Sequence, residues 1–436
     1  MLRVAIVGGG VAGLASAAEI LRRDPRADVV LLEASPRAGG HLRTERIDGY
    51  LCEAAASAFL DNCKGGALDL CARLSIPVER ASPSAKRRWL WHRGALRELS
   101  PRALLGGELL GWSGKLRAIR EPFVPKNVGE ETVAAFLRTR FGAEVARTVG
   151  DALVRGIFAG DAHALSFSAC FPRLAALVNE HGSLARGFWA EKRAGRLRAS
   201  ALWAPEQGLG AVVDRLARDL GDRVLLSSRV EAIEPGALRL QDGRSLAADH
   251  LILAVPAPAA ATIVRSRDSA LADLLQKTPD AQVVVAHVGF ARKDVPHALD
   301  GFGFIVNPGE ALRCLGCVFE SSVWKRRAPE GHVHLRLIYG GAADPAAFDL
   351  DDESLRAQVA ADLRLALGIE TAPNLLHIVR HRQGIPQYVL GHAARVVDAD
   401  ERARALGVHL VGSAFHGVGV NDCIQDAARV AAAIIP

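Results

Sequence analysis

Several features that mark specialised proteins are missing from this 436-residue chain. Cysteine is sparse: Cys52, Cys63, Cys71, Cys170, Cys314, Cys317 and Cys423 are an odd seven scattered over a long sequence. That is no disulfide framework, and it points to a reducing compartment. No uninterrupted apolar run is long enough to span a bilayer; Leu251 to Val264 is short and carries Pro256 and Pro258. The 42 Gly and 20 Pro follow no fixed period, which sets aside collagen-like and solenoid architectures. Neither an H-E-x-x-H nor a paired C-x-x-C zinc set occurs, so no metal site is expected. The lone Cys314-Leu-Gly-Cys317 reads as part of a buried strand. Val4 to Val7 reads as a buried strand running into glycines, unlike a secretory signal. The expectation is a cytoplasmic protein, free or peripheral on the cytoplasmic face of a membrane.

What is present is globular: 50% hydrophobic and 23% charged, at a length that calls for two or three structural units. The clearest unit opens the chain. An apolar strand, Val4 to Val7, leads into Gly8-Gly9-Gly10-Val11-Ala12-Gly13 and a helix from Leu14 to about Arg23. A second apolar strand, Asp28 to Leu32, then ends in Glu33. In this G-x-G-x-x-G pattern Gly8 permits a tight turn, Gly10 lets backbone approach a pyrophosphate, and Gly13 allows close helix–strand packing. The helix start offers unpaired N–H groups to phosphate oxygens, and Glu33 accepts from a ribose hydroxyl. Gly9, Val11 and Ala12 complete this dinucleotide site. A second glycine loop follows directly, Glu33-Ala34-Ser35-Pro36-Arg37-Ala38-Gly39-Gly40-His41. It resembles the second pyrophosphate-contacting stretch of amine-oxidase-like flavoenzymes, and this favours FAD over NAD.

Charge is concentrated. Between Lys86 and Lys126 ten Lys or Arg face three acids, Glu98, Glu108 and Glu121, a local +7 in a chain of net charge +6. An anionic partner or a solvated surface both account for such a run. It is interleaved with Leu104, Leu105, Leu109, Leu110 and Trp112, a mixture that suits an interfacial segment and equally a lid over a site.

Apolar residues at three-and-four spacing predict helices over 132–141, 143–154 and 174–186, with further helices at 211–220, 352–367 and 422–435. A strand over 223–233 and a hairpin around Asp242-Gly243 precede a buried strand at 251–256. Strands at 281–290, 302–307, 313–319 and 332–339 suggest an antiparallel sheet in a separate domain. The final strand, Val408 to Val411, runs into Gly412-Ser413-Ala414-Phe415-His416-Gly417-Val418-Gly419-Val420-Asn421-Asp422, where Asn421 or Asp422 would cap the last helix. A helix starting beside a flavin would aim its positive end where charge collects on reduction. His416 could serve there as a base, although a structural role is the simpler reading.

Taken together, the residues resemble the FAD-dependent protoporphyrinogen oxidase family over nearly the whole chain. The narrow motifs are RGIFAGD (155–161), GIPQYVLGH (384–392) and GVGVNDCI (417–424); VAIVGGGVAGL (4–14), LLEASPRAGG (31–40) and ADHLILAVPA (248–257) are shared more widely. The resemblance implies an α/β fold: a discontinuous Rossmann-like FAD-binding domain (1–80, 205–256 and 400–436), an antiparallel-sheet substrate domain (257–399) and a mostly helical, membrane-docking or lid domain (81–204). It implies FAD contacts at Gly8, Gly10, Gly13, Glu33, Arg37, Gly39 and Gly40, an adenine contact at Val230, and Val418, Gly419 and Val420 against the flavin ring; Ala34 and His41 belong to the same loop. On the substrate side it implies Arg88 on a propionate, Gly156 facing pyrrole N–H groups, and Phe302, Ile305, Val318 and Ile338 around the tetrapyrrole. An apolar macrocycle with two carboxylates needs apolar walls and a fixed cation, and an arginine fork suits a carboxylate.

The implied reaction removes six electrons from protoporphyrinogen IX in three hydride transfers to flavin N5. Dioxygen reoxidises the flavin to give hydrogen peroxide, and no side chain acts as a catalytic residue. The implied partners are a porphyrinogen, O2 and a membrane surface, with a homodimer and without nucleic acid. Coproporphyrinogen III oxidation is the nearest alternative. An amine oxidase would ordinarily frame its amine with aromatics, yet only Tyr50, Tyr339 and Tyr388 occur and none lies in 412–424. A catalytically idle flavoprotein is the third alternative. Its support is one departure: where the family has Glu-x-Gly-Pro-x-x-Phe, this chain reads Glu53-Ala54-Ala55-Ala56-Ser57-Ala58-Phe59, which puts the shape of that loop in question.

Overall fold

A computed structural model describes residues 1–106, 109–126, 129–197 and 200–436. Glu108 of the basic segment lies outside the described residues. The apolar strands of the opening unit assemble a five-stranded parallel sheet in the order Val224–Leu225, Asp28–Leu32, Arg3–Val7, His250–Leu253, Val408–Leu410. Parallel strands are covered on both faces, which is why these segments are apolar apart from Arg3, Asp28, His250 and His409. One face carries the helices Val11–Arg23, Gly210–Leu220 and Val420–Ile434 around Leu14, Ile20, Val213, Ile424 and Ala431. The other carries the three-stranded sheet over 230–247 and the helices Ala257–Val264, Ser269–Gln276 and His392–Ala405.

A seven-stranded sheet forms the second large unit, in the order Leu375–Pro386, Asp280–Ala291, His332–Gly340, Gly316–Val318, Gly303–Val306, Trp89–His92, Ala95–Glu98. Its pairs are antiparallel except for Gly303–Val306 beside Trp89–His92, which run parallel. Val284, Leu335, Leu337, Tyr339, Phe304 and Cys317 bury one face under the helix Asp352–Leu367. On the opposite face Val285 packs with Ala54, Gly289 lies against Tyr50, and Arg336 reaches the Ala55 carbonyl.

Val133–Phe141, Asp151–Phe158, Pro172–His181 and Leu184–Arg193 build the helical unit around the stacked rings of Phe136 and Phe167, 3.5 Å apart. Buried Glu121 ties it together: its carboxylate accepts from Arg140 at 3.0 Å and from the backbone N–H groups of Leu184 and Ala185 at the start of a helix. No described helix is long and apolar enough to cross a membrane.

Several expectations shift. The hairpin over 89–98 belongs to the seven-stranded sheet rather than to the helical unit, and residues 257–276 and 392–399 pack with the parallel sheet rather than with the substrate unit. The predicted strand over 223–233 is two strands, broken where Ser227 takes a left-handed φ of +52°. The helix expected over 143–154 contains a π turn at Ala146–Gly150. There Gly150 packs so closely that an added Cβ would lie 2.5 Å from Leu137. Cys314 and Cys317 are buried and free, as structural residues of their strand and its approach.

Candidate active site

The opening glycines divide their work as their environments dictate. A Cβ on Gly8, whose φ is +107°, would lie 2.4 Å from the Ala254 carbonyl oxygen, and one on Gly13 would lie 2.0 Å from that of Gly8. Both positions are closed by packing. A Cβ on Gly10 meets nothing within 4 Å, so that side of the turn faces open space. Gly10 is the N-cap of Val11–Arg23 and no side chain caps the helix, which leaves its first N–H groups available to an anion. The second loop lies alongside: Gly39 donates to the Gly9 carbonyl at 2.7 Å, and a Cβ on Gly40 would stand 3.0 Å from Gly10. Arg37 braces this loop through the carbonyls of Ala38 (3.0 Å) and Gly40 (2.7 Å), beside exposed Ala34 and His41. The arrangement fits a pyrophosphate: two glycine turns, an uncapped helix start, and room where a side chain would otherwise stand.

Glu33 sits at the expected end of its strand. One carboxylate oxygen accepts from Gly9 N–H and the other from the backbone N–H and hydroxyl of Ser35, each at 2.7 Å. A carboxylate has about four acceptor positions, so capacity for ribose hydroxyls remains. Ser228 donates to the Glu33 carbonyl at 2.8 Å, which brings buried Val230 to the same end of the groove.

The closing run, Gly412 to Val420, is held by residues far away in sequence. Tyr388 donates its hydroxyl to the Ser413 carbonyl at 2.6 Å and accepts from Gly417 N–H at 2.8 Å. His392 stacks on that tyrosine at 3.9 Å, and its Nε2 lies 3.3 Å from the Phe415 carbonyl. The motif Gly384 to His392 thus clamps the run that the resemblance lays against a flavin. Sequence reasoning identified the motif but not this role, since nothing local reveals the partner. The last helix starts at Val420 with Gly419 as N-cap, and Asp422 accepts from Gly419 N–H at 3.0 Å. Asn421 instead accepts from Ala67 N–H and donates to the Leu60 carbonyl, which corrects the expected cap.

His416 is not a base. Its two ring nitrogens lie 3.1 Å from Asp426 and 3.1 Å from Asp400, so both must donate. Burial opposes a charged ring, but the two carboxylates outweigh it and raise the pKa to about 9. At neutral pH this is an imidazolium that anchors the run, while Asp426 also accepts from Gly412 N–H.

The altered loop Glu53 to Phe59 bridges the two sheets. Glu53 is buried and accepts from Thr44, Leu209 N–H and Arg327 at 2.6–2.9 Å. His381 lies 2.7 Å from the Ala54 carbonyl, and Arg336 donates to the Ala55 carbonyl and the Ser57 hydroxyl. Ala55 and Ala56 both avoid positive φ. The missing Gly-Pro therefore introduces no backbone strain here, and the loop is fixed from the sheet side.

That sheet face also gathers the expected substrate residues. Strand register puts Ile305 opposite Gly316, Gly316 opposite Ile338, and Val318 opposite Gly303, so Ile305, Val318 and Ile338 share one face by the period of two. Gly156 meets Ile305 so closely that a Cβ would lie 2.7 Å from its Cδ1. The Gly156 carbonyl is in the last turn of its helix, and no backbone N–H beyond the helix bonds to it among the described residues. Phe302 and Val318 pack in one cluster, and Ile338 packs in another with Ala159, the residue that ends the Gly156 helix. Arg88 lies 5.2 Å from the Phe302 ring centre. Its neighbour Arg87 is paired with Glu98 and Asp300, whereas no described carboxylate pairs with Arg88. Pairwise contacts and register thus link the six: Arg88 with Phe302, Phe302 with Val318, Gly156 with Ile305, and Ile338 with the end of the Gly156 helix. The three tyrosines are buried, so none supplies an open aromatic frame.

The sequence pattern of the family described as flavin containing amine oxidoreductase matches residues 11–435. The chain is 29% identical to coproporphyrinogen III oxidase of Bacillus subtilis, covering 97% of this chain and 95% of that one. It is 30% identical to protoporphyrinogen oxidase of Homo sapiens, covering 99% and 98%. The crystal structure of a candidate protoporphyrinogen oxidase from Exiguobacterium sp. 255-15 superposes with a TM-score of 0.85 at 25% identity, over 100% of this chain and 98% of that one. Putrescine oxidase shares the fold, with a TM-score of 0.75 at 18% identity over 100% and 99%. The match over residues 11–435 and the 30% identity along nearly the whole chain place it in one family: the chain belongs to the flavin containing amine oxidoreductase family, as an FAD-dependent oxidoreductase.

Proposed function

We propose that the chain oxidises protoporphyrinogen IX to protoporphyrin IX, with O2 as the electron acceptor and hydrogen peroxide as the by-product. The observation that carries this reading is the pairing of an apolar sheet face with an arginine that no described acid neutralises. Ile305, Val318 and Ile338 offer walls to a flat macrocycle, and Arg88, stacked on Phe302, offers its fork to a propionate. A relative named protoporphyrinogen oxidase, matched over 99% of this chain, supports the same reading.

FAD, when bound, supplies the hydride-accepting and O2-reducing chemistry. In this reading the glycine turns at 8–13 and 39–40 hold its pyrophosphate, Glu33 its ribose, Val230 its adenine, and Val418 to Val420 its ring. Gly156 turns its carbonyl towards the pyrrole N–H groups and orients the macrocycle. The loop 54–57, held by Arg336 and His381, closes the other side and excludes water.

A second reading, coproporphyrinogen III as substrate, rests on the relative of that name at 29% identity. Steady-state kcat/KM for both porphyrinogens separates the two, and a strong coproporphyrinogen preference overturns the first. Peroxide release from amines, with no porphyrinogen turnover, would return the chain to the amine oxidases. The reading extends to a membrane surface. Trp112, Leu116, Ile119 and Phe123 are all exposed, Trp112 by 80%, with the first three repeating along one helix face amid Arg117 and Arg120. Sedimentation with anionic vesicles should fall on Trp112→Glu; no vesicle binding by the parent protein would remove this extension.

A further inference from the structure

The strand Tyr50–Glu53 delivers Cys52 against two neighbouring strands of the seven-stranded sheet, where it meets His287 and His334. All three residues are buried, the two histidines to 0% exposure. The Cys52 Sγ and one nitrogen from each ring lie within 4.8 Å of one another. The three come from separate segments, so no spacing motif could have displayed them.

Hydrogen bonds pointing away from the cluster fix the tautomers. His287 Nε2 is 3.0 Å from the Glu53 carbonyl, and His334 Nδ1 is 3.1 Å from the Arg327 carbonyl. A carbonyl only accepts, so both of these nitrogens carry hydrogen. The remaining two, His287 Nδ1 and His334 Nε2, then face each other as bare lone pairs at 3.0 Å. Two lone pairs at that distance repel unless a cation lies in reach of both. The thiol does not fill the gap, since Cys52 Sγ makes no hydrogen bond among the described residues.

We propose that Cys52, His287 and His334 form a binding site for a thiophilic closed-shell metal ion, zinc or monovalent copper. Imidazoles whose outer N–H groups are anchored on carbonyls are the usual second layer of such sites. Two nitrogens bound tetrahedrally at about 2.0–2.1 Å stand roughly 3.3 Å apart, so a small opening of the 3.0 Å gap admits the ion. The thiol proton leaves to solvent as the thiolate binds. Nearby charges already cancel in the pairs Glu53–Arg327 and Glu320–Arg336. A copper(I) thiolate adds no net charge to this interior, whereas zinc leaves one positive charge, and copper(I) also accepts three ligands more readily. The ion would fasten the strand that feeds the loop 54–58 to the substrate sheet.

The test is elemental analysis of the flavin-loaded protein, purified without a metal-affinity tag from medium supplemented with zinc and copper. One zinc or copper ion per chain is expected, falling at least about tenfold in Cys52→Ser and His334→Gln. X-ray absorption at the metal edge of the unmutated protein should show one sulfur and two nitrogen ligands, which keeps the test independent of how the variants fold. Less than a tenth of an equivalent of both metals, metal retained in both variants, or an edge spectrum without sulfur would each overturn the site.

Discussion

Tyr388→Phe isolates the clamp on the closing run. The phenol oxygen makes two hydrogen bonds, to the Ser413 carbonyl at 2.6 Å and from Gly417 N–H at 2.8 Å, in a side chain only 3% exposed. Phenylalanine keeps the ring and its stacking on His392 but leaves both backbone groups without their partner. Unsatisfied buried polar groups cost about 1–3 kcal/mol each, and partial access of water to Gly417 brings the sum to roughly 2–4 kcal/mol. Gly417 has a φ of +125°, so the turn has little other reason to keep its shape once released. If the clamp pre-forms the flavin-facing run, the loss appears in FAD affinity. At about 1.4 kcal/mol per tenfold, the dissociation constant should rise roughly 30-fold or more. Fluorescence titration of the apoprotein with FAD reads this directly, and urea unfolding of the apoprotein reads any general destabilisation. An unchanged FAD affinity together with an unchanged unfolding midpoint would refute the clamp.

Gly10→Val should fold normally yet purify without flavin, because its added atoms enter open space rather than protein; Gly13→Val should fail to fold, because its Cβ would meet the Gly8 carbonyl oxygen at 2.0 Å. Yellow Gly10→Val protein would count against the phosphate assignment. Arg88→Ala should retain flavin but lower kcat/KM for the porphyrinogen roughly tenfold or more, the effect of losing a charged hydrogen bond of about 1.5–3 kcal/mol. Unchanged kinetics would return Arg88 to the solvated surface. The folded pKa of His416, about 9, lies above the ~6.5 of a free imidazole, so its stabilisation is complete below about pH 6.5 and is lost as pH rises through 9. Solvent screening brings this to roughly 2–3 kcal/mol. Urea midpoints should fall across that window and fall less in His416→Gln; parallel profiles would dismiss the ion-pair cage.

The opening unit was legible because its signals are local. Glycine spacing, two apolar strands and an acid at the end of the second specify the turn, the helix and the place of Glu33 beside them within some 30 residues. What escaped depends on partners remote in sequence. The hairpin over 89–98 looks independent until Trp89–His92 pairs with Gly303–Val306, more than 200 residues on. The strand Leu375–Pro386 carries His377, Arg380, His381 and Arg382, and its half-exposed pattern hides it among loops. The roles of Tyr388 and His392 exist only once the closing run arrives. The Ala55-Ala56 substitution shows the converse: a local rule raised doubt, and Arg336 and His381, from distant strands, supply the restraint that Gly-Pro would have given.

The proposed function rests on FAD lying between the opening glycines and the closing run, facing an apolar surface proposed to accept a porphyrinogen. The decisive experiment is anaerobic addition of protoporphyrinogen IX to the purified yellow protein. The oxidised flavin band should bleach with stoichiometric appearance of porphyrin colour, and it should recover on admitting air. A protein that comes out colourless and cannot be reconstituted with FAD, or whose flavin stays oxidised with both protoporphyrinogen and coproporphyrinogen, would contradict this arrangement.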